Sequence, residues 1–120
     1  MAVKSFRDLI VWQRGVQFAE SIYRLTRQFP KDETYGMTSQ LRRAAVSISS
    51  NIAEGHERDS TKEYLHHLSY AIGSIAEVET LVVIASRLGY LPQDTAKLLA
   101  SECDELERMI HAIQKTLRDR

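Results

Sequence analysis

The chain has 120 residues and a formal net charge of zero, with 16 basic and 16 acidic groups. That length supports one domain, residues 1–120, with a real core, and the balanced charge counts against strong, non-specific nucleic-acid binding. A single cysteine, Cys103, excludes an internal disulfide and fits a reducing, cytoplasmic setting.

In chain order, the opening Met1-Ala2-Val3-Lys4-Ser5-Phe6-Arg7-Asp8 has no apolar core of a secretion signal. The first predicted helix begins at residue 6 or 8, where Ser5 and Asp8 resemble a capping pair, and it ends at residue 29, before Pro30. It carries two apolar stripes. One is Leu9, Trp12, Val16, Ala19 and Tyr23; the other is Val11, Gly15, Phe18, Ile22, Leu25 and Phe29. Together they cover about half the circumference, more than a helix of a monomeric bundle needs, so the excess calls for a second packing partner.

A loop, residues 30–36, leads to the second helix, for which Thr38 is the expected cap and Gly55 the expected C-terminal stop. Leu41, Ala45, Ile48 and Ile52 form its apolar stripe. Opposite them lie Gln40, Arg43, Ser47, Ser50 and Glu54, with Asn51 at the edge. These are mostly short polar side chains that another surface can pack against. Ser60 with Glu63 makes a capping box for the third helix, which runs to residue 88 and stops at Gly89. Its core stripe is Tyr64, Leu68, Ala71, Ile75, Val78, Val82 and Ala85. The longest uninterrupted apolar run, residues 81–85, is too short to cross a membrane. Pro92 suits a first helical position, and the fourth helix carries Leu99, Cys103, Leu106, Ile110, Ile113 and Leu117 at 4-3-4-3-4 spacing. No segment alternates with period two. The expected fold is all-α, an antiparallel up-down-up-down four-helix bundle.

Gly73 stands in the interior of the third helix, where glycine costs about 1 kcal/mol relative to alanine. It lies opposite the core stripe, which points to the close approach of another helix. Tyr70, Leu81, Ile84 and Leu88 flank that side and make an apolar margin suited to a subunit interface. The candidate interface is therefore Arg43, Ser47, Asn51, Glu54, Tyr70, Gly73, Glu77, Thr80 and Ile84. Ser47 and Asn51 are expected to hydrogen-bond across helices. Arg42 and Arg43 suit carboxylate pairing with Glu54, Glu77 or Glu79. Phosphate contact is the other reading of Arg42 and Arg43.

No metal, cofactor or catalytic site is expected. A di-iron bundle needs two Glu-x-x-His pairs, and Glu63 with His66 is the only one present. Cys103 reads as an inert buried thiol, and Trp12 and Tyr23 as packing residues. No acid, base and nucleophile constellation can be assembled, so the chain reads as a non-enzyme.

Several ordered blocks carry a resemblance. They are Phe6-x-Asp8-Leu9-x-Val11-Trp12-Gln13; Phe29-Pro30-x-x-Glu33-x-Tyr35-Gly36-Met37-Thr38-x-Gln40-Leu41-Arg42-Arg43-Ala44-Ala45-x-Ser47-Ile48-x-x-Asn51-Ile52-Ala53-Glu54-Gly55; and Gly73-Ser74-x-x-Glu77-x-Glu79-Thr80 with Leu88-Gly89-Tyr90-Leu91. From about residue 6 to residue 91 the chain resembles the bacterial four-helix bundle proteins encoded by intervening sequences within 23S rRNA genes. The resemblance implies a homo-oligomer, a cyclic pentamer. It also extends to the accessory protein of diversity-generating retroelements, a strongly basic RNA binder from which this chain departs in charge. The resemblance makes RNA the alternative partner, with Arg7, Arg14, Arg24, Arg42 and Arg43 as candidate contacts.

Overall fold

In a computed structural model, residues 4–120 are described and form four long helices: α1 (Ile10–Thr26), α2 (Met37–Glu57), α3 (Thr61–Arg87) and α4 (Gln93–Arg118). Residues 1–3, the first part of the segment read above for a leader, lie outside the described residues. Cross-helix pairs fix the directions. Ser47 meets Ser74 and Asn51 meets His67, so numbering rises on α2 as it falls on α3. Gly15 abuts Ser49, while Arg42 reaches Tyr23 and Thr26. Gln114 reaches Ser69 near one end of the α3–α4 seam, and Asp104 and Glu107 gather at Glu79 toward the other. Neighbours are therefore antiparallel. The seams run α1–α2, α2–α3, α3–α4 and α4–α1 around a square, with α2–α3 the most extensive and α1–α4 the slightest.

The core lies where the stripes predict it. Leu41, Ala45, Ile48 and Ile52 from α2 meet Leu68, Ala71, Ile75, Val78, Val82 and Ala85 from α3, all nearly inaccessible to solvent. Val11, Phe18 and Ile22 from α1 and Leu99, Cys103, Leu106, Ile110 and Leu117 from α4 close it. By length and composition alone α3 is long and apolar enough to cross a membrane, which the five-residue run did not reveal. In the bundle its apolar stripe is the centre of the core.

The helix ends depart from expectation in several places, and each departure has a physical reason. Ser5 caps only a 3-10 turn, Phe6–Asp8, and α1 begins after it, at Ile10. The helix stops at Thr26, where i to i+3 bonds from Arg27, Gln28 and Phe29 tighten the exit. Thr38 does not cap α2. It is buried in the second position, and the Glu33 carboxylate accepts from the Met37 N–H instead. Gly55 does not end α2 either; the helix runs two residues further, and Gly55 sits under α3. Ser60 and Gly89 behave as expected: Ser60 Oγ accepts from Glu63 N, and Gly89 takes φ +83°. Pro92, expected as the first helical residue, is instead the cap residue one place ahead of α4.

Candidate functional site

Of the polar residues picked from sequence, Ser47, Asn51 and Glu54 meet at the α2–α3 seam. Ser47 and Ser74 share a hydrogen bond of 2.8 Å. The Asn51 amide donates to the Ser47 carbonyl and hydroxyl, and its oxygen meets His67 Nδ1 at 3.1 Å. Glu54 lies 3.9 Å from the same ring nitrogen. This chain of contacts fixes the register of α2 on α3, as expected of Ser47 and Asn51. It also commits both side chains within the protomer. Gly55 permits the seam: a Cβ there would fall 2.8 Å from His67 Cβ and 2.9 Å from Tyr64 Cδ1.

The outer side of α3 presents a second stripe. Tyr70, Gly73, Glu77, Thr80 and Ile84 all face solvent, and Leu88 continues the row. They recur at the spacing of a single helix face. Nothing stands within 4 Å of a Cβ placed on Gly73, so the close approach expected there does not come from the chain itself. Leu81, read as part of this margin, is buried. Arg43 and Glu54 border the stripe from α2 and are exposed.

Arg42 corrects the expected ion pairing. Its Nε donates to Thr26 Oγ1 at 2.9 Å, Nη2 donates to the Tyr23 carbonyl, and the guanidinium lies 4.6 Å over the Tyr23 ring. It thereby ties α2 to the end of α1. No ion pair of Arg42 or Arg43 with Glu54, Glu77 or Glu79 forms among the described residues. The five candidate RNA arginines do not share one surface. Arg7 rests on Phe6, and Arg14 pairs with Glu105 at 2.8 Å across α1–α4. Arg24, Arg42 and Arg43 line adjoining hollows between α1 and α2 with Arg27 and Tyr23. Tyr23, placed on a core stripe by sequence, is 42% exposed because α1 rotates that stripe to the rim.

Glu63 and His66 are exposed, as their off-core position predicts. The fold instead gathers three other carboxylates, Glu79, Asp104 and Glu107, whose oxygens lie within 4.8 Å of one another. Burial, then the negative charge of Asp104 and Glu107, holds the Glu79 carboxyl above the usual range. Sequence gave no hint of this cluster, since α3 and α4 supply its members separately. Cys103 lies beside it, and burial with the surrounding carboxylates pushes its thiol up to about 12, so it stays protonated and unreactive.

A sequence profile described as 23S rRNA-intervening sequence protein matches residues 7–112. No curated protein matches the chain. Among solved structures, the chain is similar to a protein of unknown function from the S23 ribosomal protein family of Bacteroides thetaiotaomicron VPI-5482. The TM-score is 0.82 at 21% identity, covering 88% of this chain and 96% of that one. At that identity the likeness concerns the fold.

Proposed function

Since the chain belongs to the 23S rRNA-intervening sequence protein family, we propose that it works as a non-enzymatic, self-assembling structural and interaction module. The observation that carries this reading is the double striping of α3. One stripe, centred on Ala71, Ile75 and Val78, is fully buried; the other, Tyr70, Gly73, Glu77, Thr80 and Ile84, lies open. A helix with an apolar margin on its outer face gains by covering it. The borders Arg43 and Glu54 supply the polar rim that interfaces carry. The chemistry also favours assembly over catalysis, because the one thiol is held protonated and Ser47, Ser74, Asn51 and His67 are satisfied by one another. Light scattering across a concentration series tests the reading. The expected result is a mass that is a multiple of the protomer at micromolar concentration; a monomer throughout refutes it.

A second reading is RNA binding by the assembled surface. It is supported by Arg24, Arg42 and Arg43 at adjoining hollows with Tyr23, since arginine and tyrosine together suit phosphate contact and base stacking. Binding of a single-stranded RNA that weakens steeply with salt and drops on Arg43→Ala is the expected result for this reading. No binding at low salt removes it.

A further inference from the structure

We infer that the groove between α3 and α4 binds a small amphipathic monocarboxylate, its head held by Arg87 and Lys97 and its apolar chain lying along the groove. The hollow measures about 510 Å³ and is separate from those between α1 and α2. Its α3 wall is Glu79, Val82, Val83 and Ser86. These lie on the α4 side of the helix, turned away from the stripe through Gly73 and Ile84. On α4, Ala96 and Ala100 offer only short side chains, so the two helices leave open a volume that larger residues would fill.

The groove is basic at one end, acidic at the other and apolar between. Glu79 on α3 is level with Asp104 and Glu107 on α4. About two turns forward on α3, and two turns back on the antiparallel α4, stand Arg87 and Lys97, so the two cations are level with each other and about 12 Å along the groove from Glu79. Both line it, and neither forms an ion pair among the described residues. Between the charged ends the lining is Val82, Val83, Ala96, Leu99 and Ala100, with Cys103 at the floor. The Cys103 thiol stays protonated, its pKa pushed up to about 12 by burial and then by the nearby carboxylates, and so counts as apolar surface.

These features select the ligand. An apolar cleft of this size with a few convergent polar groups is the usual form of a small-molecule site. Arg87 and Lys97 stand against one lining carboxylate, Glu79, so a single negative charge balances the groove. The guanidinium fork matches the two oxygens of a carboxylate, and the ammonium adds a point charge. Orientation follows from charge as well: Glu79, Asp104 and Glu107 repel an anionic head from their end and leave that end to the chain. Val83, 50% exposed, then gains cover from water.

Octanoate is the probe, titrated into the full chain and followed by calorimetry and by backbone amide shifts. The expected result is saturable binding, one per protomer, with shifts concentrated at Val83, Ala96 and Ala100. Arg87→Gln combined with Lys97→Ala is expected to weaken binding at least about tenfold, as is replacing octanoate by octan-1-ol. Ala100→Trp, which fills the hollow from an exposed position, is expected to abolish binding. Circular dichroism verifies that the variants remain helical. The wild-type arm needs no variant: no saturation at millimolar octanoate, or shifts centred on the hollows between α1 and α2, overturns the site. Equal binding of octan-1-ol, or binding unchanged in the double variant, overturns the role of Arg87 and Lys97 as the head group's partners and with it the proposal.

Discussion

Along the α2–α3 seam, Gly55, Ser47, Ser74 and Asn51 bring two helices into close contact over a fully buried apolar stripe. Across α1–α4, an exposed ion pair, Arg14 with Glu105, bridges a polar cleft of about 340 Å³ that reaches down to Phe18 and Leu106. The first seam is held by shape and desolvation, which act over a few tenths of an ångström and resist salt. The second is held by charges still in water, which tolerate distance and are weak. The close seam also carries the exposed α3 stripe on its outer side. The most extensively packed seam of the bundle is thus the one beside the proposed contact surface.

The largest expected effect is on the close seam. Ile48 is fully buried there, and Ile48→Ala is expected to cost about 2–5 kcal/mol in urea denaturation, by lost burial plus cavity. Gly55→Ala follows, at roughly 1–3 kcal/mol, because the new Cβ must displace His67 Cβ and the Tyr64 ring. A neutral outcome would mean that the seam is not tight. Gly73→Ala sharpens the contrast between two glycines in long helices. With nothing above it, the added methyl removes only a helix penalty and is expected to stabilise by about 0.5–1 kcal/mol in thermal melts of a dilute, monomeric sample. Arg14→Ala, on the open seam, is expected to cost under about 1 kcal/mol, a loss that shrinks further in high salt.

The smallest effect concerns pH. The Glu79 carboxyl is raised by burial, then by Asp104 and Glu107, so the folded chain binds that proton more tightly than the unfolded chain does. Ionised Glu79 therefore costs stability above its folded pKa. The gain appears as pH falls through that value and is complete below the ordinary 4.5. Glu79→Gln is expected to raise the melting temperature slightly at neutral pH and to leave it unchanged near pH 4. Solvent reaching this half-buried group keeps the effect small.

Individual residues show where sequence reading succeeds. Leu41, Ala45, Ile48 and Ile52, and their counterparts on α3, were legible as core because burial follows a 3.6-residue period that any helix imposes on its own side chains. The exposed stripe through Tyr70, Gly73 and Ile84 was legible for the same reason. Gly89 and Ser60 were legible as well, since a positive φ and an N-cap are local demands. Thr38 and Gly55 were misread because each satisfies a local rule that another contact overrides. Glu33, brought back by a 3-10 turn, takes the cap, and α3 fills the space over Gly55. Arg42 was misassigned to carboxylates because its partners, Thr26 and Tyr23, lie on another helix.

The sequence by itself determined the number of helices, the face each one buries and the presence of a second, uncovered face on α3, because all of these follow from periodicity within one segment. Only the tertiary structure decided which glycine marks a close approach, which arginine is tied down, and that Glu79, Asp104 and Glu107 share one site. These depend on the pairing, rotation and height of helices distant in sequence. Packing of the whole core fixes those quantities, and no single segment encodes them.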